Sequence, residues 1–191
     1  MKTLNVRLTG VQLLTHNERL ASKLDPIARE MSSIASKRKK TDDDLAELAR
    51  LEFLGGVYET DDGLVGIPSW NVFKSFQEGA RLNKLGRHVE RGLLPMGVDI
   101  APLKHDGPNT ARSMWDAGCY DQRSVKVGQS KVTRTRPMFR NWSIDVAFAL
   151  DTEILRRDEF EMVAENAGRL VGLGDYRPRF GRYDVEVSEV A

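Results

Sequence analysis

The most regular stretch of the chain is Trp142-Ser143-Ile144-Asp145-Val146-Ala147-Phe148-Ala149-Leu150. Large apolar side chains stand at every second position, with small or polar residues between them. Successive side chains of a strand point to opposite faces, so this alternation predicts a β-strand with one face in the core. Leu4, Val6 and Leu8 repeat the pattern near the N-terminus. We therefore expect the core to be built on a sheet.

Helical patterns lie between the predicted strands. Apolar residues with helical spacing predict two helices, one carrying Val72, Phe73, Phe76, Ala80 and Leu82, the other Phe160, Val163, Ala164, Ala167 and Leu170. Further strands are expected at residues 94–100 and 183–187. The resulting strand-helix-strand-strand-helix-strand order predicts an α+β, ferredoxin-like (RRM-like) antiparallel sheet with helices on one face. The other face would be free to bind, as in RNA-recognition modules.

The chain of 191 residues fits a single domain. Residues 11–40 and 101–140 are expected to be insertions or projecting elements. The first is predicted to be an irregular excursion that projects from the core, followed by a helix over 42–54. The second includes a predicted β-hairpin around Gly128 and Gln129.

Composition excludes several classes of protein. The formal net charge is +1, so bulk charge favours neither nucleic acid nor membrane. One cysteine, Cys119, permits neither a disulfide within the chain nor a Cys-based zinc site. No apolar run reaches transmembrane length and the N-terminus lacks a signal-peptide pattern, so we expect a cytoplasmic protein without membrane partners. No motif indicates a metal site, a cofactor or a catalytic constellation.

Charge distribution along the chain is more informative. Between Gln122 and Asn141 no acidic residue interrupts the basic ones, which are Arg123, Lys126, Lys131, Arg134, Arg136 and Arg140. A hairpin places Arg134 and Arg136 on one face, both expected to be exposed, where they could follow a phosphate backbone. The alternative is a solvated hairpin balanced by acidic loops. A second basic run comprises Lys37, Arg38, Lys39 and Lys40.

Residues 172–182 combine glycine, arginine and aromatic residues. Gly172 and Gly174 permit positive φ and close backbone approach. Arginines bind phosphate in a bidentate manner and aromatic rings stack on bases; here they are Tyr176, Arg177, Arg179, Phe180 and Arg182. The alternative is a helix C-terminus followed by a loop that packs on the core, with Phe180 buried.

The first predicted helix has a distinctive start at Ile67-Pro68-Ser69-Trp70-Asn71. Ser69 is the expected N-cap. Free backbone N–H groups at a helix N-terminus favour an anion, and Lys74 and Arg81 follow one and two turns later. Trp70, Asn71, Lys74 and Arg81 are therefore candidate binding residues, with an ordinary helix cap as the alternative.

Three segments, in this order, resemble the RAMP superfamily, the ferredoxin-like RNA-binding subunits of CRISPR effector complexes. Residues 10–17 resemble the opening strand of the backbone subunits, residues 67–76 their helix entrance, and residues 172–182 their C-terminal glycine-rich loop. The resemblance is closest to small stand-alone members in bacteriophage and prophage genomes. It implies a module in the bacterial host cytoplasm that binds single-stranded RNA or DNA and forms head-to-tail, filament-like homo-oligomers. It also implies that residues 11–40 are a thumb-like or finger-like insertion.

Three functions follow as hypotheses. The first is non-catalytic binding of single-stranded nucleic acid. The second is a structural or protein-interaction subunit without nucleic acid. The third is a metal-independent ribonuclease with His16 as general base, for which the sequence offers no partner acid.

Overall fold

The computed structural model describes residues 1–190, except for the side chain of Val127. These residues form an α+β structure in which eight strands make one antiparallel sheet beside six α-helices. The strands are β1 (Lys2–Leu14), β2 (Tyr58–Glu59), β3 (Val65–Pro68), β4 (Leu93–Met96), β5 (Ile100–Lys104), β6 (Tyr120–Val127), β7 (Ser130–Leu150) and β8 (Asp184–Glu189). The helices are α1 (Pro26–Ala35), α2 (Asp42–Gly56), α3 (Ser69–Arg81), α4 (Gly86–Gly92), α5 (Ala111–Asp116) and α6 (Arg157–Asn166).

The strands are arranged in the order β2-β3-β5-β7-β1-β8, and both β4 and β6 pair with β7. β1 and β7 form the centre, with Leu8 opposite Ile144 and Leu4 opposite Phe148. These side chains lie on the buried face of the sheet, as the alternation predicted, because every second residue points into the core.

Helices α3 and α6 cover that face. Phe76 of α3 lies 5.6 Å, between ring centroids, from both Phe148 of β7 and Phe160 of α6. Tyr183 closes this aromatic cluster, and its hydroxyl lies 2.8 Å from Ser75 Oγ. The predicted apolar faces of both helices therefore pack against the sheet, except for Leu82 and Leu170, which lie beyond the ends of α3 and α6 and are exposed.

The opposite face of the sheet is open, but its chemistry differs from that expected. Arg7 is paired there with Asp145 at 3.0 Å, and Glu186 lies across from Arg7 on β8. The remaining side chains on this face of β1, β7 and β8 are small, polar or acidic, without an aromatic ring among the described residues. These strands therefore offer no aromatic stacking platform on this face, and its basic residues Arg7 and Lys104 lie near Asp145, so their charge is partly offset.

The predicted strand 94–100 is wrong as one element. It divides into β4 and β5 because Gly97 adopts a positive φ of 82°, which turns the chain. β4 then pairs with the end of β7, while β5 joins β3 to β7.

The expected excursion at residues 11–40 starts later and is more ordered than predicted. Residues 11–14 remain in β1. A 3-10 turn at Glu18–Ala21 and helix α1 follow. Asp25 caps α1 by accepting from Ile27 N and Ala28 N, and Pro26 occupies its first turn, which is an N-terminal signature that the sequence contains.

Residues 101–140 are not wholly an insertion either. β5 lies inside the sheet, and β7 runs without interruption from the hairpin into the central sheet. The β6–β7 hairpin pairs Tyr120 with Pro137 and continues to its tip at residues 127–130. The long β7 therefore couples the basic hairpin mechanically to the core.

The expected cap of α3 is also corrected. Pro68 is the N-cap and provides no side-chain hydrogen bond, while Ser69 Oγ donates to the carbonyl of Val98 at 2.8 Å. Within residues 1–190, none of the helices has the length and apolarity needed to cross a membrane.

Candidate nucleic-acid interface

Residues from the three segments 10–17, 67–76 and 172–182 meet in one cleft of about 260 Å³. Thr15 and His16 follow the end of β1, Asn71 and Lys74 lie on the first turns of α3, and residues 173–177 come from the glycine-rich loop. The complete lining is Thr15, His16, Tyr58, Ile67, Asn71, Lys74, Glu78, Leu173, Gly174, Asp175 and Arg177.

A second cleft, of about 490 Å³, shares His16 and Asp175 with the first. Its wall comes from the hairpin and the loop, and its lining is His16, Ser124, Val125, Lys126, Arg134, Arg136, Asp175 and Tyr176. We call the two clefts together the central groove. The groove combines residues far apart in sequence because β1 lies between β7 and β8 in the sheet.

Backbone hydrogen bonds hold the glycine-rich loop against β1. Asp175 N donates to Leu14 O and Gly181 N donates to Gln12 O, both at 2.8 Å. Gly174 has a φ of 77°, and a Cβ at this position would lie 2.1 Å from Leu14 O. Glycine is therefore required at 174 for both reasons, since a side chain would be strained and would collide with β1.

Every arginine of the hairpin that faces the groove has an acidic partner. Arg136 Nε donates to Asp175 Oδ2, and Arg134 Nη1 lies 2.7 Å from Glu52 Oε1. Arg136 is only 9% exposed, so the expectation that it is exposed is wrong. These acids come from α2 and the loop, so they interrupt the basic strip in space although none interrupts it in sequence.

The lysines are different. Lys126 and Lys131 stand directly opposite each other near the hairpin tip, are exposed, and have no ion-pair partner among residues 1–190. Opposed like charges destabilise a hairpin. Lys74 in the groove donates to Gln77 Oε1 and lies over the Trp70 ring, 4.8 Å from its centroid. Lys74 and Lys126 line the groove and Lys131 stands opposite Lys126, so an anion there could reach these three ammonium groups without breaking an ion pair.

The two aromatic residues of the loop have different environments. Phe180 is 6% exposed and packs with Leu14 and Met138, so it is not a stacking platform for a base. Tyr176 is 42% exposed and stacks on Phe180, with ring centroids 5.8 Å apart. Arg123 lies over the same two rings, and its guanidinium is paired with Asp121.

His16 and Thr15 provide the polar groups where the clefts meet. Removal of solvent by the surrounding protein lowers the pKa of His16, and the nearby carboxylates of Asp175 and Glu52 only partly oppose this. The imidazole is therefore neutral near pH 7. Thr15 is 1% exposed, and its hydroxyl has no hydrogen-bond partner among the described residues.

All but one of the remaining candidate residues lie outside the groove lining. The exception, Arg177, lines the first cleft and pairs with Glu78 at 3.2 Å. Gly172, outside the lining, accepts a hydrogen bond from Ser75 Oγ through its carbonyl. Lys40 lines a neighbouring cleft with Arg134, and Arg182 lines a separate cavity beside Tyr183. The other candidates found on neither wall of the central groove are Lys37, Arg38, Lys39, Trp70, Arg81, Arg123, Lys131, Arg140, Arg179 and Phe180.

Several residues of the groove were missed from sequence. Thr15 and Asp175 lie inside segments that the sequence analysis had selected. Neither the hydroxyl of Thr15 next to a histidine nor the carboxylate of Asp175 in a basic loop forms a sequence pattern that indicates a binding site. Glu52 is recognisable in retrospect, because it stands among apolar residues of α2 and is 5% exposed. A buried carboxylate requires a partner, and that partner is Arg134.

In the part of the chain that the structure describes, no three His, Cys, Asp or Glu side chains lie together as metal ligands would. Comparison with known proteins found no family model that matches the chain and no curated protein with significant similarity to it.

Proposed function

We propose that this protein binds single-stranded RNA or DNA without catalysis, and that it resembles the backbone subunit of CRISPR effector complexes, assembling head to tail along the strand. The observation that carries the proposal is the convergence of residues 10–17, 67–76 and 172–182 on the first cleft of the central groove. These segments come from three distant parts of the chain, yet residues of all three line the same cleft.

The strand order supports the ferredoxin-like part of the proposal. Strands β8, β1, β7 and β4 are neighbours in that spatial order. Along the chain, α3 lies between β1 and β4, and α6 lies between β7 and β8. A ferredoxin-like core has this order, with its two helices on one face. Strands β2, β3 and β5 extend the sheet beyond β7.

Electrostatics support an anionic ligand. The α3 N-terminus has no side-chain cap and its Asn71 lines the groove, so the backbone N–H groups of Trp70 and Asn71 favour an anion, whereas that of Ser69 donates to Asp99 O. Lys74, Lys126 and Lys131 add charge without requiring an ion pair to break. The groove, rather than the open sheet face, is therefore the proposed path of the strand.

The proposal is tested by the absorbance ratio at 260 and 280 nm and by light scattering after size exclusion, before and after nuclease treatment. A large species with a high ratio that shrinks on digestion supports a nucleic-acid assembly. Binding of a labelled oligonucleotide should weaken with salt, with a slope of log K against log salt of about −2 for three phosphate contacts. A nuclease-insensitive particle that persists in high salt would favour the structural or interaction subunit.

Ribonuclease activity is the second candidate, because neutral His16 lies in the groove beside Tyr58 and Lys74. A neutral imidazole can accept a proton from a ribose hydroxyl. Incubation of a labelled RNA with the wild type and with His16→Ala decides between the two: cleavage that the substitution removes would make the protein an enzyme, whereas an intact RNA supports the non-catalytic proposal.

A further inference from the structure

Arg136 has an unusual combination of burial and incomplete pairing. Its Nε donates to Asp175 Oδ2, but its Nη1 is buried and has no hydrogen-bond acceptor among residues 1–190. A buried charged donor without an acceptor is destabilising, and a guanidinium in this state can still bind a further anion. The residue therefore retains binding capacity inside the protein.

The surroundings of this guanidinium suit an anion. Arg136 lines the second cleft together with Lys126, Arg134 and His16. Asp175 lines both clefts, and Thr15, whose Oγ1 is the other buried unpartnered group of the groove, lines the first. Each of the two clefts that share Asp175 thus contains one residue with an unsatisfied buried polar atom.

Asp175 has the position and the chemistry of an internal anion. Its Oδ2 accepts from Arg136, and its Oδ1 accepts from Tyr176 N at 2.8 Å. A phosphate oxygen uses the same donors, a guanidinium fork and a backbone N–H. The carboxylate of Asp175 is about one-third exposed, so it can be displaced into solvent.

We propose that Arg136 anchors a phosphate subsite in the central groove and that Asp175 occupies this subsite as an internal competitor until a phosphate group displaces it. The inference rests on the proposed function for the strand that carries the phosphate, but the anion site itself does not depend on it. When no ligand is bound, Arg136 is buried and paired with Asp175. The groove therefore favours a ligand that can replace this carboxylate over salt anions that only gather near the positive charge.

Oligonucleotide binding provides the first test, with Glu78→Gln as the matched control for Asp175→Asn. Both substitutions remove one carboxylate from the groove wall, and Glu78 does not contact Arg136. With a fluorescein-labelled single-stranded 15-mer, Asp175→Asn should bind about tenfold more tightly, as expected for the loss of a charge-assisted competitor, and clearly more tightly than Glu78→Gln. This excess should vanish when Arg136→Gln is added, because the two residues act as one unit.

Inorganic phosphate provides a test without nucleic acid. Asp175→Asn should lower the thermal midpoint, because it leaves a buried guanidinium unpaired, and phosphate should restore that midpoint more than it stabilises Glu78→Gln at equal ionic strength. If Asp175→Asn fails to fold, Arg136→Lys replaces it: this variant keeps the charge beside Asp175 but loses Nη1, so phosphate should bind about tenfold more weakly than to wild type.

The two proposals fail in different ways. Phosphate-specific stabilisation without oligonucleotide binding would overturn the proposed function and keep the subsite. Oligonucleotide binding that responds equally to Asp175→Asn and Glu78→Gln, with no coupling to Arg136, would overturn the subsite and leave the proposed function standing.

Discussion

Glu52 of α2 joins the basic hairpin to the helical layer by accepting from Arg134 Nη1 at 2.7 Å and from the backbone N–H of Thr135 at 2.8 Å. The carboxylate is 5% exposed and belongs to an otherwise apolar stretch of the helix. One buried acid thus fixes the position of β7 where it leaves the central sheet, and with it one wall of the groove.

Glu52→Gln should therefore lower the free energy of unfolding by about 2 kcal/mol, because the neutral amide leaves Arg134 without its counter-charge in a partly buried site. Urea unfolding measures the change, and Glu90→Gln, on the exposed side of α4, is the control. An unfolding curve identical to that of the wild type would show that the hairpin is held by packing alone.

The strands of the core could be predicted because their burial follows from period-two alternation in the sequence. Trp142 to Leu150 and Leu4 to Leu8 form adjacent strands whose apolar side chains face the helices. The break at Gly97 could not be predicted, since Leu94 and Met96 alternate across it into Val98. These three side chains are exposed, so their alternation does not report burial in a core.

The sequence indicated which segments contribute to the groove, but it did not indicate that acidic residues would pair with the arginines of the groove wall. Arginines 134 and 136 form an uninterrupted basic strip with their sequence neighbours, yet Glu52 and Asp175 come from 82 and 39 residues away. Ion pairs between such distant residues depend on the tertiary fold. A run of basic residues in the sequence can therefore mark arginines that pair with distant acidic residues as readily as arginines that bind phosphate.

Gly174→Ala should destabilise the protein much more than Gly63→Ala. Both glycines have a φ near 77°, but a Cβ at 63 meets nothing within 4 Å, whereas one at 174 would lie 2.1 Å from Leu14 O. Conformational strain of about 1 kcal/mol is common to both variants, and overpacking against β1 should add about 2 kcal/mol at 174. Chemical denaturation measures the loss of unfolding free energy in each variant, and the difference between the two gives the cost of the collision. Equal losses would mean that the loop moves away from β1 without an energetic cost.

Substitution of Phe180 should mainly lower stability, whereas substitution of Tyr176 should mainly lower affinity for nucleic acid. Phe180→Ala removes a buried ring and should cost about 3 kcal/mol of stability. Tyr176→Ala removes an exposed ring, so its stability should change by less than about 1 kcal/mol, while affinity for a single-stranded oligonucleotide falls about tenfold through the loss of base stacking. Unchanged affinity in the Tyr176 variant would exclude stacking by this loop.

Stability should decrease as the pH falls from 7 to 5.5. Desolvation holds the pKa values of His16 and His105 below the ordinary 6.5. The unfolded chain therefore binds more protons than the native state between the lowered pKa and 6.5, and unfolding is favoured as pH falls through that window. Asp44, whose pKa is lowered by its hydrogen bond with Lys37, acts in the same direction only near pH 4.

The contribution of His16 to this pH dependence can be isolated by substitution. His16→Gln should flatten the dependence of the urea midpoint on pH between 7 and 5.5, because it removes one of the groups that must be charged on unfolding. His88→Gln, on the exposed surface of α4, is the matched control. Identical slopes in the wild type and the His16 variant would show that His105 alone accounts for the effect.

Lys131→Glu should move stability and binding in opposite directions. The substitution places a carboxylate directly opposite Lys126, so a repulsive cross-strand pair becomes attractive and the hairpin gains about 0.5 kcal/mol. The same change puts a negative charge beside Lys126 of the groove wall, so oligonucleotide affinity at low salt should fall about tenfold and the salt dependence should become shallower. Lys23→Glu, exposed before α1, controls for net charge. Equal affinity of the two variants would mean that the hairpin tip does not contact the strand, and that its opposed lysines serve something other than phosphate binding.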